Sequence, residues 1–184
     1  MTDRMPPIPK DQWTDSQAKA AAEFERMRGQ APFGPFALML RSPEVMLRAA
    51  AMGDYMRYKT SLPGGLNEMI ILLTARHWSQ QFEWHIHQPM ALRAGLSETT
   101  VGAIAKGRRP EKLSADEAIV YDFTTELLRL QNIGDETYAK ARARFGEAGI
   151  IDMVGVAGYY SFLSMMMNTA RTAVPADSDI PPLR

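Results

Sequence analysis

Apolar residues recur every three or four positions along most of this chain, and clusters of Pro, Gly, Ser and Thr cut the recurrence into segments. Thr14 and Gln17 have capping-box spacing, and an Ala-rich segment follows to about Arg28. Gly29, Pro32, Gly34 and Pro35 predict a loop. Ser42, Pro43 and Glu44 then supply an N-cap, a first helical position and an acidic first turn. That helix is predicted to reach about Lys59, where Leu62 to Gly65 stops it. Further helices are predicted from about Leu66 to His77, over 80–94, from Ser97 to Gly107, from Ser114 (with Glu117 as a second capping box) to about Gln131, from Asp135 to Gly146, and over about 148–172. The expectation is an all-α protein of seven or eight helices. Residues 1–13 are expected as a Pro-rich arm, 14–175 as one helical domain, and 176–184 as a polar tail.

One stretch, FEWHIH at residues 82–87, alternates as a strand would. An H-x-H pair on a strand makes good metal geometry, yet the Gly-rich turns and further strands of a small β-barrel are absent. The helical reading places Trp78, Phe82, Ile86 and Met90 on one stripe, expected to face the core. On that helix Glu83 and His87 lie about 40° apart around the axis and can hydrogen-bond, whereas His85 lies about 200° from Glu83. The two histidines then do not converge, and no metal is expected. Pro89 is expected to kink the helix just past them.

Composition narrows the chemistry. Among 184 residues there is no cysteine, which excludes disulfides, thiolate ligands and thiol catalysis. Zero formal net charge argues against an extended nucleic-acid footprint. No apolar run reaches the roughly 18 residues of a membrane span, the longest candidate at 148–167 being interrupted by Asp152. The opening MTDRMPPIPK lacks the apolar core of a signal peptide, so a cytoplasmic protein with no membrane partner is expected. Thirteen methionines suit core packing, an apolar pocket or a subunit interface.

A carboxylate four residues from an imidazole can fix its tautomer and raise its basicity, so Glu83 and His87 form a candidate acid/base pair. Glu68, fifteen residues before Glu83, approaches the same spot if its helix packs alongside. The bland alternative is a surface i,i+4 pair.

LNEMIILLTARHWSQQFEWHIHQPMALRAG, with Glu68 near its start and Gly95 at its end, is followed by LSETTVGAIAKG and, at the close, by YYSFLSMMMNTARTAVP. A Glu in one helix, an aromatic-Glu-Trp-x-x-His in the next, and an Ala-rich turn to Gly-Leu-Ser resemble the carboxymuconolactone decarboxylase family, which shares its fold with the alkylhydroperoxidase D proteins. The resemblance spans about residues 40–175. It implies an alkylhydroperoxidase D-like helical bundle assembled as a homo-oligomer, a trimer or hexamer. Peroxidases of this fold carry C-x-x-C and a following His, at positions held here by Gln80, Glu83 and His87, so thiol-dependent peroxide reduction is excluded at this site. The decarboxylase branch implies loss of CO2 from a carboxylated butenolide without cofactor, with His87, Glu83 and Glu68 as catalytic residues. Trp84, His85 and Arg76 are the candidates for binding the small-molecule substrate, Trp84 more as a packing residue than a reacting one. Arg171 is a second candidate for holding its carboxylate. Two alternatives stay open: a catalytically silent helical oligomer or binding protein, and a metalloenzyme built on His85 and His87.

Overall fold

A computed structural model describes residues 3–175 and 178–183. Among them there are eight α-helices, one short 3-10 turn and no strand. Residues 1 and 2 of the expected arm, and 176, 177 and 184 of the expected tail, lie outside the described residues.

Local capping decides several boundaries. Helix α1 (Asp15–Arg28) starts from the Thr14–Gln17 capping box and stops at Gly29, which takes φ 70°. Helix α2 (Pro35–Met39) had no signal in the pattern; it turns on Gly34 and buries Pro35, Phe36, Leu38 and Met39. Helix α3 (Pro43–Tyr58) begins at Pro43, although the Ser42 side chain makes no capping bond. Helix α4 (Gly64–His77) is the centre of the bundle, with Met69 to Leu72 all fully buried. It packs against α5 (Gln81–Arg93), α7 (Ala115–Leu130) and α8 (Asp135–Ala170). Helix α6 (Glu98–Ala105) is capped by Ser97, and α7 by the Ser114–Glu117 box. Gly146 (φ 67°, ψ −178°) interrupts α8 with a non-helical kink, so the two helices expected there are separate in backbone geometry.

Two expectations need correcting here. First, α8 is long and apolar enough to cross a membrane by length and composition, with a mean hydropathy of 1.4 over its best window. About half of that window, 56%, is buried in the core, Met153, Val156, Leu163 and Met167 among it, while Ile151, Val154 and Met165 stay exposed. Second, of the stripe Trp78, Phe82, Ile86 and Met90 only Phe82 is buried. The buried face of α5 runs through Glu83, Trp84, His87 and Ala91, so the core accepts the polar pair and leaves the apolar stripe half exposed. Helix α5 continues through Pro89 to Arg93.

The arm is laid against the bundle. The Arg4 backbone N–H donates to the Ala170 carbonyl at 2.7 Å, and Arg41 Nη2 donates to the Pro6 carbonyl at 2.6 Å.

Candidate functional site

The connection from α4 to α5 is three residues long, Trp78 to Gln80, so the two helices form an αα-hairpin. Ser79 takes φ 48° in that turn. Gln80 then caps α5: its Oε1 accepts from the backbone N–H groups of Phe82 (2.6 Å) and Glu83 (3.1 Å). Its Nε2 donates to Asn168 Oδ1 at 3.1 Å, and Asn168 Nδ2 donates to the Trp78 carbonyl at 2.8 Å. This amide clip fixes the first turn of α5 against α8, and Glu83 lies in that turn.

The hairpin sets Glu68 of α4 opposite His87 of α5. His87 Nδ1 lies 2.8 Å from Glu68 Oε2, and its Nε2 lies 3.4 Å from Glu83 Oε2. The imidazole is thus held between two carboxylates. The closer one, which sets the ring's tautomer and orientation, is Glu68 rather than the i,i+4 partner Glu83. The Glu68 side chain is 13% exposed, against 3% for His87 and 4% for Glu83, so the set has one end near solvent and one end inside. Burial pushes the Glu83 carboxyl above the usual carboxylate range; His87 and then Arg57 pull it back, and Glu68 adds to the rise. Glu83 Oε1 is buried without a hydrogen-bond partner.

His87 and Glu83 open onto a cavity of about 40 Å³. Its apolar walls include Phe36, Phe82, Tyr159, Tyr160 and Leu163. Tyr160 meets the His87 ring edge-on, with centroids 5.0 Å apart, and burial raises its phenol well above the ordinary value. The loop before α2 covers the cavity. Gly34 there has φ 53°, and a side chain on it would sit 2.6 Å from the Phe82 ring. Two guanidinium groups also line the space. Arg28 is tied down, donating to the Ala50 carbonyl at 2.6 Å with its Nε 3.3 Å from Asp54. Arg57 donates from Nη2 to Met90 Sδ at 3.0 Å.

The other residues singled out from the sequence sit elsewhere. Trp84 is buried beside the pair but turns away from the His87 cavity, lining a groove with Val101, Ala105 and Pro181. His85 Nδ1 lies 2.6 Å from Ser178 Oγ of the tail, whereas His87 Nδ1 turns to Glu68, so the two imidazoles take different partners. Among the described residues no group of three or more metal-ligating side chains converges. Arg76 lies against Gly107 and lines a separate depression with Tyr121 and Thr125, so it does not reach the His87 cavity. Arg171 ends α8 in the left-handed conformation (φ 58°) on the exposed surface. Sequence reasoning missed Arg57 and gave Tyr159 and Tyr160 only as an aromatic pair in the closing helix. Arg57 reaches the site through the packing of α3, which no local spacing encodes.

No family model matches the chain, and no curated protein matches it either. Solved structures do. An uncharacterized peroxidase-related protein from Silicibacter sp. TM1040 superposes with a TM-score of 0.77 at 15% identity, covering 96% of this chain and 93% of that one. A protein from Ralstonia eutropha JMP134, described as an alkylhydroperoxidase AhpD core, gives 0.74 at 15% identity over 95% and 93%. A debrominase solved with 2,3,4-tribromopyrrole gives 0.71 at 13% identity over 96% and 94%. The chain has the alkylhydroperoxidase D-like fold. It has this fold without a single cysteine, hence without the C-x-x-C pair.

Proposed function

We propose that this is a cytoplasmic, carboxymuconolactone decarboxylase-like enzyme. It performs cofactor-free acid/base chemistry, decarboxylation or proton transfer, on a small lactone or keto acid. The observation that carries the reading is the buried imidazole between two carboxylates, 2.8 Å and 3.4 Å away, at the wall of an aromatic cavity. In decarboxylation the bond from carbon to the carboxylate breaks and CO2 leaves. The electron pair stays on carbon as a dienolate or enolate, and that carbon takes up one proton. Glu68 sits at the solvent side and exchanges protons with water. His87 passes one from Glu68 toward Glu83, which lines the cavity with its Oε1 unpartnered and would deliver the proton to that carbon. The 3.4 Å step is long for a hydrogen bond, and proton transfer across it requires it to tighten when substrate is bound. Loss of such a group is expected to slow turnover by roughly 10²–10⁴-fold.

The test is CO2 release from a carboxylated butenolide, and deuterium uptake from D2O into a series of small keto acids, with wild type and His87→Ala. Turnover by wild type that falls at least roughly a hundredfold in the variant supports the reading. Equal rates in both, or no CO2 and no deuterium uptake across the series, overturns it. The second reading is a catalytically silent oligomer, and it draws on two observations. The cavity of about 40 Å³ has room for one or two waters as it stands. The outer faces of α3 and α8 expose Met52, Tyr55 and Tyr58 beside Ile151, Val154 and Met165, an apolar surface suited to a second copy of this chain.

A further inference from the structure

We infer that Arg57 is the anion-binding residue of the His87 cavity, and that the site takes a small acid with one anionic oxygen pair and a flat apolar body. The inference deepens the functional reading above and rests on it only for what happens after binding.

Arg57 and Arg28 both line the cavity, and they differ in what they already hold. Arg28 is paired in charge with Asp54, although its Nε makes no hydrogen bond; it donates to the Ala50 carbonyl and lies over the Phe36 ring at 5.1 Å. Its charge is balanced within the fold. Arg57 forms no carboxylate ion pair within 4.0 Å among the described residues; its hydrogen bond goes to a thioether, and its guanidinium lies over the Tyr58 ring at 5.0 Å. A thioether is a weak acceptor, so most of the donor capacity of this fork is unspent. A half-buried guanidinium with unspent donors beside an aromatic cavity matches a carboxylate, which it can hold by two parallel hydrogen bonds.

The remaining surfaces decide what sort of acid fits. Phe36, Phe82, Tyr159 and Tyr160 offer ring faces and edges, which favour a planar, unsaturated body over a polyol or a second charge. Glu83 and Glu68 make a dianion unfavourable except at the Arg57 end. The cavity of about 40 Å³ accepts the head and the leading edge of such a ligand among these rings, and the rest of the body lies toward Phe33, which is 40% exposed. The arrangement also explains why Arg76 need not reach the site: the guanidinium arrives from α3 instead.

Binding is measured by calorimetry on the full chain with sodium benzoate, with benzamide as the neutral isostere and sodium chloride at matched ionic strength. Benzoate is expected to bind roughly tenfold or more tighter than benzamide, the gap a charge-assisted hydrogen bond supplies. Arg57→Gln should lose at least that factor and Arg57→Lys should retain part of it, with circular dichroism confirming that each is folded. Acetate, which lacks the ring, should bind more weakly than benzoate. Benzamide binding as tightly as benzoate, or Arg57→Gln keeping its affinity, overturns the assignment. The functional reading fails separately: benzoate binding that depends on Arg57, in a protein with no turnover, leaves the anion site standing and the catalytic reading refuted.

Discussion

A side chain on Gly53 tests how tightly the floor of the site is built. Gly53 lies in α3 and faces Tyr159 of α8. A Cβ placed there would be 2.2 Å from the Tyr159 hydroxyl oxygen, 2.6 Å from Cζ and 3.0 Å from Cε1. Tyr159 is 3% exposed and held in the core, with only the small cavity of about 40 Å³ on its open side, so its ring has little room to yield. Gly53→Ala gains about 1 kcal/mol of helix propensity and loses about 1–3 kcal/mol to overpacking. A net loss of about 1 kcal/mol is therefore expected, or roughly 2–4 °C in melting temperature for a chain of this size. The control is Gly158→Ala, in α8, where a Cβ meets nothing within 4 Å. It should raise stability by about 0.5–1 kcal/mol. Urea denaturation of both variants reads the two signs directly. Tyr159→Phe removes the nearest of the three contacts, so Gly53→Ala should cost less in that background, a coupling the double-mutant cycle measures. If Gly53→Ala stabilises the protein as Gly158→Ala does, α3 and α8 are not locked at this point, and the cavity wall formed by Tyr159 is not fixed.

Glu83 makes a prediction about pH. Its carboxyl is raised in the folded state, so between the unfolded value near 4.5 and the folded value the native protein binds the extra proton. Its contribution to stability is present below that window and is lost as pH rises through it. The difference in unfolding free energy between wild type and Glu83→Gln, followed by urea melts across pH, should therefore move in favour of the variant as pH rises; a difference that stays flat refutes the burial argument. Gln80→Ala removes the cap on Phe82 and Glu83 and strands Asn168, so it should cost about 1–2 kcal/mol in the same assay. A loss below a few tenths would mean the amide clip does not hold the start of α5.

What could be read from the chain was local. Thr14 with Gln17 and Ser114 with Glu117 form both halves of their capping boxes, and Gly146 breaks the backbone where a stop was expected. Each of these signals acts over three or four residues, within reach of pattern. Helix α2 was invisible because five residues have little helical preference of their own; what holds them is the burial of Phe36, Leu38 and Met39 under the bundle. The buried face of α5 was misassigned for a related reason. Pattern reading puts apolar residues inside, and here Glu83 and His87 occupy the inner face while Ile86 and Met90 lie half exposed near the cavity. Glu68, Glu83 and His87 could be grouped because two share a helix and the third lies one hairpin away. Arg57 could not, since α3 reaches the site only through tertiary packing.

The inversion on α5 bears on what the polar set is for. A buried carboxylate without full hydrogen bonding lowers stability, and an apolar replacement of similar size is often neutral or better. The fold contains a comparison within itself. Asp152 is also a buried acid, and its Oδ2 accepts from the Ser61 backbone N–H at 2.8 Å and from Ser61 Oγ at 2.7 Å. It ties the loop after α3 to α8, and its bonding accounts for its presence. Glu83 has one oxygen 3.4 Å from His87 and the other with no partner at all, at the wall of a cavity. Structure alone does not repay that arrangement. The proposed function supplies a reason: there Glu83 Oε1 makes its missing hydrogen bond to the molecule being bound.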